Sequence, residues 1–371
     1  MESSEENARS GQESEPFLPA TVRGPKPSSG SRRVVVLERC DEVIPEAINW
    51  LWNGWLAAGK LHLLAGVPGT GKTMLALKIA STLSKGDVWP DGSQSQKTSV
   101  LIWSGEDPHK DTLNPRVRAC GANLERISII KSVDSEEVST SFDPARDIPL
   151  LYSNLKKIGD VGLIIIDPIV AAVVGDSHKN AEVRRGLQPL VDLAQKFNCA
   201  VLGITHFSKG TAGRDPVERL VGSLAFGALS RIVLVAAKRT GADGPESQRF
   251  IARAKSNIGP DEGGFDYDVL LGPLVDFPHI IASRVVWGSA ISGTARELLN
   301  EAESSGEDRA ADAKAFLNDL LSPGPLPSAT VFERATAAGF SKDAMHRAKN
   351  KLKVSARKSG MAGGWIWQLP S

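Results

Sequence analysis

Apolar residues arrive in short unbroken runs through the middle of this chain. The runs are Leu61–Ala65, Ser99–Ser104, Ile127–Ile130, Leu163–Ile166, Ala200–Thr205, Arg231–Ala236 and Phe250–Ala254. Between them, near 72–84, 109–119, 147–158 and 181–197, apolar positions recur at every third or fourth residue. Val/Ile/Leu runs without polar alternation suit strands buried on both faces, and the intervening spacing suits amphipathic helices. The expected class is α/β, a mostly parallel twisted sheet with helices on both faces. After residue 255 the helical spacing stops. Phe265–Leu271 and Ile280–Trp287 read as a hairpin that extends the sheet antiparallel.

The flanks differ. Residues 1–32 are rich in Ser, Glu, Pro and Gly and hold too few apolar groups to offset the entropy of ordering, so a disordered tail is expected. Residues 33–295 are assigned to the α/β domain, entered through a strand-like Val34–Leu37 and a segment with Trp50, Trp52 and Trp55. The polar stretch around Glu301–Asp308 marks a linker over 296–308. Beyond it, 309–371 reads as a small module: helices over Ala310–Leu321, Ser328–Ala338 and Ser341–Leu352, then a glycine turn into Trp365-Ile366-Trp367. Three helices and a terminal hairpin is a winged helix-turn-helix layout.

Composition narrows little. With 371 residues, 41% hydrophobic and 23% charged, the chain is ordinary globular material of roughly two or three domains. A net charge of +1 removes any argument for nucleic acid from total charge and leaves only local clustering. Cys40, Cys120 and Cys199 lie far apart, which suits neither a metal site nor a disulfide framework. No run approaches the ~20 apolar residues that span a bilayer. A cytoplasmic protein without a membrane partner is expected.

The chemistry is concentrated at Gly66-Val67-Pro68-Gly69-Thr70-Gly71-Lys72-Thr73, a complete G-x-x-x-x-G-K-[ST] phosphate loop. A strand-like run enters it and a helical one leaves it. Glycines let backbone N–H groups close around phosphates. Lys72 reaches the β- and γ-phosphates, and the Thr73 hydroxyl ligates Mg²⁺. The expected cofactors are ATP and Mg²⁺. Asp167 ends the buried run Leu163–Ile166, at the strand end where open α/β sheets bind ligands, and is read as the carboxylate of the Mg²⁺ shell. The alternative is an Asp that merely caps the strand. Ser104-Gly105-Glu106-Asp107 follows another strand, and Glu106 is the candidate that polarises the attacking water. Asp107, before Pro108, reads as a helix cap. His206 closes Ala200–Thr205 on the same edge and suits a γ-phosphate sensor. The loop after it, Phe207–Gly222, carries Lys209, Arg214 and Arg219 and is a candidate contact to nucleic acid.

Taken in this order, GVPGTGKT, SGED, LIIIDP, THFSKG and GSLAFGALSR resemble the RecA-like ATPases, and within them the plasmid and phage replicative helicase ATPases that assemble as hexamers. The resemblance spans about residues 40–290. It implies a homo-oligomeric ring, expected to be a hexamer, with ATP held between neighbours and an arginine from one subunit completing the next subunit's site. Arg231 matches that position. Arg253 and Lys255 lie where relatives carry a Lys-x-Arg pair, here in reversed order, so any of the three is a candidate for action in trans.

Residues 341–358 hold Lys342, Arg347, Lys349, Lys351, Lys353, Arg357 and Lys358 against the single Asp343. Ser341 suits an N-cap, and Ala344, Ala348 and Leu352 make an apolar face. A recognition helix needs that division, and Lys342, Arg347, Lys349, Lys351 and Lys353 are the candidate DNA contacts. This stretch is similar to the winged-helix segments attached to phage and mobile-element replication ATPases. The expected partner is DNA, single-stranded in the ring and duplex at the C-terminal module. Three functions remain open: a helicase-like motor on DNA, a nucleotide-switched DNA-binding regulator or loader, and an ATPase that acts on proteins only.

Overall fold

The computed structural model describes residues 35–370 except 137, 209, 223, 240–247, 305–306, 339, 341 and 359–363; of 248, 304, 307–312, 343–344 and 347 it describes the backbone alone. The 1–32 tail therefore lies outside the described residues. The chain divides into 1–47 and 48–371. In the first unit, residues 35–47 form neither helix nor strand, and Arg39 pairs with Asp41 at 2.6 Å. The strand expected at Val34–Leu37 is absent over the described 35–37. Val35, Val36 and Leu37 are exposed, without a neighbouring strand to pair with.

The second unit carries the sheet. In chain order its elements are β1 Leu61–Ala65, α1 Lys72–Lys85, β2 Ser99–Ser104, α2 Asn114–Ala119, β3 Ile127–Ile129, α3 Leu151–Ile158, β4 Val161–Asp167, α4 Asn180–Phe197 and β5 Ala200–Ile204. There follow α5 Ala225–Leu229, β6 Ile232–Arg239, β7 Gln248–Ser256, β8 Glu262–Pro273, β9 Ile281–Thr294 and α6 Ala295–Ser304. Nine strands form one sheet in the order β9-β8-β7-β6-β1-β5-β4-β2-β3. From β6 to β3 every neighbouring pair is parallel, and β7, β8 and β9 add an antiparallel meander to one edge. This is the mostly parallel α/β sheet that the apolar runs predict.

Each face carries its own core. On one, Val183, Leu187, Leu190 and Leu193 of α4 cover β1, β4 and β5. On the other, Leu75, Ile79 and Leu83 of α1 pack with Trp52, Trp55, Trp89 and Phe265. Burial of the strands on both sides is why their sequences lack alternation.

The linker expected over 296–308 is helical at its start. Ala295, Leu298 and Leu299 of α6 are buried against the first core, at the spacing of one helical face. Arg296, Glu297 and Asn300 face solvent, while Ala302 packs on that core and Glu303 pairs with Arg219, so the polar positions of a docked helix resemble a linker. The C-terminal portion contains α7 Glu307–Leu321, β10 Leu326–Pro327, α8 Ser328–Ala337, α9 Lys342–Lys351, β11 Ser355–Lys358 and β12 Trp365–Gln368. These strands make a separate sheet, β10-β12-β11. Leu317, Val331, Ala335, Met345, Ala348 and Trp367 form a separate core.

Candidate nucleotide site

The site assembles at the C-terminal ends of β1, β2, β4 and β5. The phosphate loop leaves β1 at Gly66, whose φ is 152°. A Cβ placed there would sit 2.2 Å from the Ala236 carbonyl oxygen, so only glycine fits. The loop then enters α1 through Gly71, which leaves the first N–H groups of the helix directed at the loop.

Lys72 is buried, and its ammonium donates to the carbonyls of Gly66 (3.0 Å) and Val67 (3.1 Å). Burial lowers its pKa, against the opposing pull of Asp167 and Glu106. Thr73 Oγ1 donates to Asp167 Oδ2 at 2.7 Å. Asp167 is buried, and that burial raises its pKa to about 6; the charges of Glu106 and Asp107 add to the rise, while Thr73 and Lys72 oppose it.

β2 delivers Glu106 to the same place because it pairs directly with β4, Ser104 opposite Asp167. The turn after β2 is held by Gly105 N–H on the Asp167 carbonyl (2.8 Å) and by Asp107 N–H on Ser104 Oγ (3.0 Å). Glu106 is exposed, with its carboxylate free to approach a ligand. Asp107 does not cap the next helix. It pairs with Arg116 at 2.5 Å, which neutralises it and leaves Glu106 as the available acid. His206 is half-buried, and burial depresses its pKa; Lys72 adds to that and Glu106 opposes it. Its Nδ1 is buried with no hydrogen-bond partner among the described groups.

Lys72, Thr73, Glu106, Asp167 and His206 are thus brought together. Arg231 is not. Its N–H donates to the Leu61 carbonyl at the start of β1, about four strand residues, or ~13 Å, from where the phosphate loop begins. Arg253 and Lys255 lie on the neighbouring strand near that same end and do not form a pair. A bulge puts Val233 opposite Lys255 but Leu234 opposite Arg253. Arg253 accordingly lies over the Trp55 ring at 4.6 Å, while Lys255 donates to Gly227 (2.6 Å) and Ser230 (3.2 Å).

The loop after His206 is folded back on itself. The Arg219 carbonyl accepts from Ser208 N–H (2.7 Å) and the His206 carbonyl from Val221 N–H (2.8 Å) on either side of a short bridge between Phe207 and Leu220. The Arg219 guanidinium is buried over Phe207 and paired with Glu303 at 2.5 Å. Arg219 is therefore withdrawn from any nucleic acid. Arg214 is exposed, and Lys209 lies outside the described residues.

Sequence reasoning missed Tyr267, whose hydroxyl donates to the Thr70 carbonyl at 2.6 Å. It also missed Lys238, whose Nζ would lie 3.9 Å from a Cβ on Gly69. Neither carries a local motif.

The donor set fits Mg²⁺. Thr73 and Asp167 present oxygen atoms side by side, the hard donors that Mg²⁺ takes. Among the described residues no group of three or more His, Cys, Asp or Glu makes a closed metal cage.

A family profile described as the AAA domain matches residues 26–212, a span that includes the phosphate loop, Glu106, Asp167 and His206. The chain belongs to that family, and its mostly parallel sheet carries the G-x-x-x-x-G-K-[ST] loop at its strand ends. Among solved structures, a KaiC-like protein of the hyperthermophilic archaeon Pyrococcus horikoshii OT3 matches at 17% identity with a TM-score of 0.42, over 64% of this chain and 99% of that one. Among the described residues no helix is long and apolar enough to cross a membrane.

Proposed function

We propose that this chain is an ATP-hydrolysing motor on DNA, helicase-like, that works as a homo-oligomeric ring, by the sequence resemblance a hexamer. The observation that carries the hydrolytic half is the Thr73–Asp167 pair beside Glu106. Bound Mg²⁺ supplies charge neutralisation on the phosphates, and Thr73 and Asp167 are the residues that would hold it. Lys72 turns from its loop carbonyls to phosphate oxygens. Glu106, in no ion pair among the described residues and close enough to be felt by Asp167 and Lys72, takes the proton of the attacking water.

Arg231 is the trans-acting group in this reading. It is exposed and lies at the sheet end away from its own phosphate loop, so it serves a neighbour's site. Arg253 and Lys255 are held by contacts within their own subunit and act as supports.

The C-terminal portion directs the energy to DNA. Its helix–strand–helix–helix–hairpin order supports a winged helix-turn-helix with α9 as the recognition helix. Met345 and Ala348 turn inward while Lys342 and Lys351 are exposed. Lys349 lies over Trp367 at 5.2 Å, and Lys353 is exposed just past the helix. Of Arg347 only the backbone is described, and Ser341 lies outside the described residues. Strand displacement from a forked duplex, driven by ATP and lost in Lys72→Ala, tests the motor. Duplex binding that survives Lys72→Ala without any displacement assigns the chain to the nucleotide-switched regulators instead.

A further inference from the structure

The phosphate loop has an outward side as well as an inward one. When its N–H groups turn in toward phosphates, its carbonyls turn out, and each needs a donor or water. Gly66 O takes Lys72 Nζ, with Phe207 N–H at 3.4 Å; Val67 O takes Lys72 Nζ and Thr70 Oγ1 at 3.0 Å. Thr70 O is different. Thr70 is fully buried, and the donor to its carbonyl is Tyr267, 197 positions later on β8.

Tyr267 is itself 1% exposed and is packed edge-on against Trp287. Next along its strand, Val269 reaches within 3.2 Å of a Cβ built on Gly71, and Ser283 of β9 touches Met74 of α1. The antiparallel hairpin thus lies against the phosphate loop and the first turn of α1. Among the described residues, one of its contacts, Tyr267 on Thr70, is a hydrogen bond to the loop backbone.

We propose that Tyr267 is a positioning residue for the nucleotide: its hydroxyl fixes the Thr70–Gly71 peptide so that the loop is already open to phosphate before ATP arrives. The inference rests on the reading of Gly66–Thr73 as an ATP site. Lys72 leaves the Gly66 and Val67 carbonyls when it turns to phosphate, but the Tyr267 bond does not depend on Lys72. It holds the loop in both states. Burial pushes the Tyr267 phenol well above its ordinary value, so it remains a donor at every working pH. Loss of that donor leaves a buried carbonyl without a partner, and the loop relaxes to reach another. Binding then has to restore the cradle, a loss of preorganisation that appears in affinity more than in turnover.

Tyr267→Phe keeps the ring and removes the hydroxyl. The expected result is a nucleotide Kd and KM raised about 10-fold with kcat within about 2-fold of wild type, read by fluorescent-nucleotide titration and steady-state ATPase. Val269→Ala perturbs the same packing without touching the hydrogen bond, and its Tm falls while its Kd holds. A purely structural Tyr267 would make the two variants alike, with lower Tm and unchanged Kd. That result, or a fall in kcat at constant KM, overturns the proposal. Wild-type protein that binds no ATP, or ATP affinity unchanged in Lys72→Ala, overturns the ATP-site reading instead.

Discussion

The Thr73 hydroxyl and the Asp167 carboxylate meet at 2.7 Å from positions 94 residues apart. The contact joins the first turn of α1 to the end of β4, and it places two oxygen ligands at one point beside Lys72. The proposed metal-assisted hydrolysis depends on that point.

Asp167→Asn is expected to lower Mg²⁺-dependent ATP hydrolysis by ~10²-fold or more, because metal-assisted charge stabilisation is worth several kcal/mol. The same substitution removes a buried charge. The folded carboxyl keeps its proton up to about pH 6, against 3.8 unfolded, so the native state weakens as pH rises through that interval. Without metal or nucleotide, Asp167→Asn should therefore have a higher Tm than wild type at pH 7.5, with the gap closing near pH 4. Equal Tm values at both pH values would show that the burial of Asp167 carries no such penalty.

Glu106→Gln separates chemistry from binding. Its carboxylate is exposed and makes no hydrogen bond to the loop among the described residues, so nucleotide affinity should stay within about 3-fold while turnover falls ~10²-fold or more. Equilibrium titration beside steady-state ATPase measures both. A Glu106→Gln enzyme with normal kcat removes Glu106 from the role of general base.

Arg231 lends itself to complementation. If it acts on a neighbour, Arg231→Ala and Lys72→Ala proteins are each inactive alone. A mixed ring pairs an intact phosphate loop from the first with an intact Arg231 from the second. Mixing the two should restore measurable ATPase, and its absence over a range of ratios would falsify action in trans.

His62 governs part of the acid sensitivity. It is fully buried, with Nε2 accepting from Ala57 N–H at 3.1 Å and Nδ1 on the Lys60 carbonyl at 3.1 Å. Burial depresses its pKa to about 4 from 6.5. The unfolded chain binds the proton first, so stability is full above pH 6.5 and declines as pH falls toward 4, by on the order of 3 kcal/mol. Urea midpoints of His62→Gln should change less across that window than those of wild type. Parallel curves would assign the acid sensitivity to other groups.

The local parts of this molecule are legible in its sequence. The phosphate loop is contiguous, and Glu106, Asp167 and His206 each end an apolar run, so a parallel sheet brings them to one edge. What escapes is whatever depends on pairing across the fold. The Tyr267–Thr70 bond spans 197 positions. The Arg219–Glu303 pair joins a loop to a helix whose polar face resembles a linker. The bulge that parts Arg253 from Lys255 depends on register with β6, which neither strand declares alone. Asp107 reads as a cap until Arg116, nine residues on, is seen to take it.

The central claim is that ATP bound at Gly66–Thr73 is spent on DNA, and steady-state ATPase with and without single-stranded DNA tests it most directly. The account predicts a rate raised many-fold by single-stranded DNA and abolished in Lys72→Ala under both conditions. A rate indifferent to DNA, or one that persists in Lys72→Ala, would contradict it.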